Sequence, residues 1–433
     1  MLKGQFPVEK FASLRTPFYY YDLPLLRRTL DKIRECIEPY PQFHVHYAVK
    51  ANFNGRILQE ISRCGFGADC VSGGEVRAAL QNGFAPESIV YAGVGKSDEE
   101  ILLALDAGIA RFNVESAAEL EVINELALSR GVVAPVSLRV NPDIGAHTHA
   151  NITTGLAENK FGINYEQLPG VIELADSLPG VEYKGLHFHI GSQILEMDDF
   201  VALCNRINVL AEQILRQRRG RLVPAASSAA VVGYSSSAAG AAGVSGSGAV
   251  AGAAAGVAAG VAGAAASVLG DINVGGGLGI NYYHPNHLDV AEFSQYFETF
   301  ARHLKLPEGT PVHFELGRSV VAPCGSLISR VLYIKEGTTR RFAIIDASMT
   351  ELIRPALYKA YHRVENISSY EPEEVYDVVG PVCESSDVFA KGVSIDKCHR
   401  GDFIAIRSAG AYGESMSSQY NCRPLPACFF KED

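Results

Sequence analysis

The chain has 433 residues, with 38 Lys and Arg against 48 Asp and Glu, a net charge of −10. That length exceeds one ordinary core and favours two domains, one of them large enough for a barrel of about 250 residues. The acidic balance excludes a general attraction to nucleic acid or to an anionic membrane surface. Nine cysteines are scattered without a Cys-x-x-Cys pair, a pattern of reduced thiols rather than of a disulfide framework or a zinc site. Met1 to Pro7 lacks the apolar run of a signal peptide, so a cytoplasmic protein is expected.

In chain order, Pro17 to Asp22 reads as a strand and Leu23 to Ile37 has apolar residues at helical spacing. A repeating unit follows: a short apolar strand, a polar or glycine-rich corner, an amphipathic helix. The first strand, His44 to Val49, ends on Lys50. A lysine there is either solvated at the start of a loop or held in a cavity. In a cavity, burial would lower its pKa toward neutrality and let the amine react with a carbonyl.

Seven more strand ends follow: Ala68 to Ser72, Ile89 to Gly93, Phe112 to Ser116, Leu138 to Asn141, Leu186 to Gly191, Ile272 to Gly277 and Phe314 to Arg318. Helices are expected between them, among them Ser72 to Asn82, Ser97 to Ala107 and Ser116 to Ser129. Eight strands alternating with helices predict a (β/α)8 barrel of TIM type, whose chemistry gathers at the C-terminal strand ends. Past residue 324, strand-like runs at Leu327 to Ile334, Phe342 to Asp346, Val375 to Val382 and Phe403 to Ile406 predict a mostly-β domain, which the N-terminal strand is expected to join. The expected divisions are 1–30 joining the β domain, 31–310 for the barrel, and 311–433 for the last barrel strand and the β domain.

Residues 222–270 break the pattern. They carry no charged side chain and consist mainly of Ala, Gly, Ser and Val, a low-complexity insertion with little to pack a core. Ala249 to Leu269 is long enough to span a bilayer but only weakly apolar, so no membrane insertion is expected. The insertion lies between a helix and the seventh strand, which places it on the barrel face away from the chemistry.

The polar strand ends suggest roles. Gly275-Gly276-Gly277-Leu278-Gly279 follows a strand but lacks the last glycine of a dinucleotide fingerprint. It is either a tight turn or a run of backbone amides for a phosphate. His187 and His189 alternate on one strand. His187 reads as a core residue, and His189, nearer the strand end, as a ring that could lie on an aromatic cofactor. Glu315 could hold a proton on a pyridine nitrogen, or form a salt bridge with Arg318. Arg318 and Arg354 are candidate carboxylate clamps. No metal site is expected.

These stretches resemble the fold-type III pyridoxal-phosphate-dependent amino-acid decarboxylases. The resemblance rests on Tyr47 to Asn52, Phe66 to Glu75, Lys160 to Ile163, His187 to Gln193, the triple glycine, Arg354 to Tyr358, Cys383 to Ser385 and Gly410 to Gly413. It covers the whole chain except the insertion. It implies pyridoxal 5'-phosphate carried by Lys50, with His189 on its ring, Glu315 at its nitrogen and Asp69 in the same set. Ser192, Gly276, Gly277, Gly317 and Tyr412 would surround the phosphate, with Arg318 close by.

It further implies that Arg318, Arg354, Tyr358 and Tyr412 bind an amino-acid substrate, with Glu384 near its distal amino group and Cys383 protonating the carbanion. A homodimer with a shared active site is implied, the Cys383-Glu384 segment coming from the partner subunit. Two arginines and a glutamate suit a substrate that keeps a second amino-acid head, as in the members that convert meso-diaminopimelate to lysine. Ornithine, arginine or carboxynorspermidine is the alternative, and a non-catalytic pyridoxal-phosphate-binding protein a third. The family usually has proline where Leu316 stands, which could shift the loop beside Glu315.

Overall fold

A computed structural model of the chain describes residues 6–142, 160–222, 268–288 and 290–432. The first strand, β1 (Phe18–Asp22), and the helix Leu23–Ile37 fall where the sequence places them. The barrel strands are β2 (Phe43–Ala48), β3 (Gly67–Cys70), β4 (Ile89–Tyr91), β5 (Arg111–Val114) and β6 (Ala134–Asn141). They continue, after a two-residue β7 (Ile163–Asn164), with β8 (Val181–His187), β9 (Asp271–Asn273) and β10 (Val312–Leu316).

Each pairs in parallel with the next, β6 with β8, and β10 returns to β2 to close the ring; β7 pairs with β6. The eight expected strand ends are therefore the eight barrel strands. Closure removes the sheet edges and points every strand end at one face.

Local chemistry sets the corners. Ser72, Ser97 and Ser116 cap the helices that follow β3, β4 and β5, each hydroxyl accepting from a backbone N–H three residues on. At Ser97 the cap is reciprocal, because Glu100 reaches back to the serine backbone. The outer layer packs on apolar side chains: Phe314 of β10 meets Phe43, Tyr296, Phe297 and Phe300 edge-on.

The barrel interior holds two polar layers, because residues two apart on a strand share a face. The layer nearer the strand starts links His46 to His313 at 2.9 Å, His313 to Asp271 at 3.3 Å and Asp271 to Arg111 at 2.7 Å. The layer nearer the strand ends contains Glu315 and belongs to the candidate site.

The β domain is built around β11 (Gly325–Glu336), with β12 (Arg341–Ile345), β13 (Val364–Asn366), β14 (Glu373–Val379), β15 (Val388–Asp396), β16 (Phe403–Ile406) and β17 (Ala427–Lys431). β11 pairs antiparallel with β1, β12 and β16, and β1 pairs in parallel with β17. The N-terminal strand thus joins this domain, as expected. The strand read as Val375 to Val382 ends at Val379, because Asp387 draws the chain into a turn by accepting from the N–H of Val382.

Three contacts fasten the two domains beside the site. Asn52 donates to the Tyr21 hydroxyl at 2.8 Å and to Gly410 O at 2.9 Å, and the N–H of Tyr412 donates to Ala51 O at 2.8 Å.

The insertion lies almost wholly outside the described residues. Its flanks, the helix Met197–Leu222 and β9, are joined where Arg218 donates to Val268 O at 3.1 Å. That point adjoins a strand start, on the face opposite the strand ends. No helix among the described residues is long and apolar enough to cross a membrane.

Candidate active site

The C-terminal strand ends and the β domain enclose a cavity of about 760 Å³. Ten of the residues singled out in the sequence line it: Lys50, Asp69, His187, His189, Ser192, Glu315, Arg318, Arg354, Tyr358 and Tyr412.

Lys50 sits on a single helical turn, Val49–Ala51, directly after β2. Its Nζ lies 3.7 Å from Oδ2 of Asp69, at the end of the neighbouring strand. Burial opposes the charge on this amine, but Asp69 and then Tyr412, Glu315 and Glu75 outweigh it, and the pKa is raised. This corrects the expectation of a depressed lysine pKa: the neighbouring anions, not desolvation, decide the direction. Asp69 is itself buried, and neither of its carboxylate oxygens has a hydrogen-bond partner among the described residues.

Glu315 is held from both sides. Its Oε1 accepts from Asn273 at 2.8 Å and Asn113 at 3.4 Å, and its Oε2 lies 3.2 Å from Nε2 of His187. Burial would raise its pKa, yet His187 and Lys50 outweigh that, so it stays an anion well below the usual carboxylate range. His187 is therefore no inert core residue, as the sequence reading had it: it lines the cavity and orients Glu315. The alternative of a Glu315–Arg318 salt bridge is also overturned. Arg318 turns instead to Ser192, donating from Nη2 at 3.0 Å and Nε at 3.3 Å, and to the Tyr282 hydroxyl at 2.9 Å.

The glycine loop packs between neighbouring strand ends. A Cβ on Gly276 would lie 1.9 Å from Glu315 O, and Gly277 has φ +120°, so both positions demand glycine. The Gly276 N–H donates to Nδ1 of His189 at 3.3 Å. Burial, then Arg139 and Lys50, push the His189 imidazole well below its ordinary pKa, so the ring is neutral. Gly317 packs on Ala48 and Ala51, either side of Lys50. Leu316 is buried and stays in register with Tyr47, so the strand bearing Glu315 is kept without a proline.

On the β-domain wall, Arg354 lies over the rings of Tyr282 and Tyr412 and donates from Nε to His362 at 3.3 Å. Arg318 lies 4.9 Å from the centre of the Tyr412 ring. Cys383 and Glu384 are exposed and do not line this chain's cavity. Asn113, Asn273, Tyr282 and His362 were missed. Each is an ordinary residue until barrel closure or the β domain brings it to the site; only the two asparagines, ending apolar strands, left a faint signal.

Residues 26–218 match the family described as pyridoxal-dependent decarboxylase, pyridoxal binding domain. The chain is 53% identical to the diaminopimelate decarboxylase of Bacteroides thetaiotaomicron, over 100% of both chains. The chain belongs to the diaminopimelate decarboxylase family. Its fold matches the crystal structure of the Helicobacter pylori diaminopimelate decarboxylase complexed with L-lysine, with TM-score 0.80, 34% identity, and coverage of 98% of this chain and 94% of that one. The M. jannaschii diaminopimelate decarboxylase in co-complex with L-lysine matches with TM-score 0.80 and 30% identity, covering 98% and 89%.

The cofactor of a diaminopimelate decarboxylase is pyridoxal phosphate, and the residues here fit it. The cavity offers a primary amine, an ionised carboxylate anchored on three neighbours, a buried carboxylate whose oxygens lack hydrogen-bond partners among the described residues, and a hydroxyl. That donor set matches an aldehyde, a protonated pyridine, a ring substituent and a phosphate.

Proposed function

We propose that this chain decarboxylates meso-2,6-diaminopimelate to L-lysine and carbon dioxide, the last reaction in making lysine. The observation that carries the reading is the pair of buried arginines, Arg318 and Arg354, on the wall of the cavity that also holds Lys50 and Glu315. A substrate with one reacting and one retained amino-acid head needs a cationic clamp for the retained carboxylate, and guanidinium forks provide it. Ornithine has no second carboxylate to fill that clamp. The L-lysine held by two named relatives carries that retained head.

Bound pyridoxal phosphate supplies the electron sink for the carbanion that departing carbon dioxide leaves behind. Lys50 would carry it through the amine, and Asp69 steadies that amine. Glu315 would keep a proton on the ring nitrogen, because its neighbours hold it as an anion. His189 would lie against that ring. Ser192, Gly276, Gly277, Gly317 and Tyr412 would receive the phosphate. Tyr358, with Arg318, Arg354 and Tyr412, faces the substrate.

Cys383 delivers a proton to the substrate carbon, and Glu384 receives the distal amino group. Both are exposed and outside this chain's cavity, which supports a homodimer in which each subunit lends them to the other. All nine cysteines are free, in keeping with a cytoplasmic enzyme. The test is incubation of the purified chain with pyridoxal phosphate and meso-diaminopimelate. Lysine formed with equal carbon dioxide supports the reading; intact substrate refutes it.

A further inference from the structure

We infer that His362 is a positioning residue for substrate: it fixes which edge of the Arg354 guanidinium can take a carboxylate. The inference rests on the reading of Arg354 as the clamp for the retained carboxylate.

His362 is buried eight residues beyond Arg354, after the short helix Arg354–Tyr358 and a left-handed turn at Lys359. Its Nδ1 lies 2.9 Å from the carbonyl oxygen of Arg407. A carbonyl can only accept, so the ring proton sits on Nδ1. Nε2 is left with a lone pair, and the Nε–H of Arg354 donates to it at 3.3 Å.

A guanidinium can grip a carboxylate through the Nε edge or through the edge of its two terminal nitrogens. With Nε committed to His362, the terminal edge is the one that remains. Tyr282 braces the arrangement. Its ring stands edge-on to His362 with centroids 5.0 Å apart, lies under Arg354 at 5.6 Å, and its hydroxyl accepts from Arg318.

Protonation of His362 would destroy the acceptor. Burial and then Arg354 push the imidazole pKa down to about 3, so the lone pair persists at neutral pH.

The test compares the pyridoxal-phosphate-loaded chain with His362→Phe, which keeps a flat ring but has no acceptor, and with His362→Gln, whose amide oxygen can still accept. For H362F, KM for meso-diaminopimelate and the inhibition constant of L-lysine are expected to rise roughly ten- to a hundredfold, the range for one hydrogen bond to a charged group. Inhibition by cadaverine, which lacks a carboxylate, and affinity for pyridoxal phosphate are expected to stay unchanged. H362Q is expected to recover most of the loss.

Lysine binding by H362F at the unsubstituted level, equal weakening of lysine and cadaverine, or equal impairment of both variants would each overturn the inference. Should H362F fail to fold, the tautomer of His362 in the unsubstituted protein decides by nitrogen NMR: a proton on Nδ1 is required, and one on Nε2 refutes it. Failure of the functional reading is separate, since the unsubstituted chain would then make no lysine.

Discussion

His187 and Glu315, 128 residues apart, meet inside the barrel with Nε2 3.2 Å from Oε2. The carboxylate can only accept, so His187 donates, and Asn273 and Asn113 hold the other oxygen. Glu315 is thus an anion fixed in place before any cofactor arrives. Glu315→Gln is expected to lower kcat about a hundredfold or more, within the usual range for a positioned proton-holding group. His187→Phe should lower it less, about ten- to a hundredfold, as for a supporting neighbour. Steady-state rates of both variants check the ranking; an H187F enzyme with unchanged kcat would remove His187 from the site.

Lys50 and Asp69 give a prediction with a definite sign. Asp69 is the largest influence raising the Lys50 pKa. Only the neutral amine adds to an aldehyde, so Asp69→Asn, by lowering that pKa, should move the onset of pyridoxal phosphate capture to lower pH. Stopped-flow absorbance across pH reads it directly, and an onset at the same or a higher pH would contradict the account. Lys50→Ala should abolish the visible absorbance of the bound cofactor altogether.

Exposed Cys383 and cavity-lining Lys50 predict complementation between subunits. Cys383→Ala should keep cofactor absorbance while kcat falls about a hundredfold or more. Mixed and re-associated with Lys50→Ala, it should regain about a quarter of full activity, because half the dimers are mixed and each of those has one intact site. No recovery in a mixture shown to exchange subunits would place both residues in one chain's site.

The buried histidines set the acid limit. Burial, then His313 for His46 and Arg354 for His362, pushes each imidazole pKa down to about 3, against about 6.5 in an unfolded chain. The folded pKa is depressed, so the stability from keeping each ring neutral is present above about pH 6.5 and is lost as pH falls toward the folded value. The two together are worth on the order of several kcal/mol. Thermal unfolding should therefore move to lower temperature from pH 7 to pH 4, and a flat profile would contradict the buried network.

Much of the fold was legible because period-two apolar runs and serine-capped helices are local signals. Ser97 with Glu100 announces a helix within four residues. Strands β13, β15 and β17 were not legible: one has three residues, one is interrupted by Lys391 and Gly392, and β17 is only partly buried. In the site, Lys50, Glu315 and the arginines stood out as charged residues ending apolar strands or within known motifs. What the sequence could not show was pairing across the closed barrel. His187 looked like core until Glu315 arrived beside it, and the direction of the Lys50 pKa depended on Asp69, one strand over. His362 gained a role only when Arg407 O fixed its tautomer.

Substrate choice is read by presenting the pyridoxal-phosphate-loaded chain with meso-diaminopimelate, ornithine, arginine and carboxynorspermidine in parallel, and measuring carbon dioxide and product from each. Carbon dioxide and L-lysine are expected from meso-diaminopimelate, with no turnover of the other three. Turnover of ornithine or arginine at a comparable rate would contradict the assignment of Arg318 and Arg354 as a clamp for a retained carboxylate.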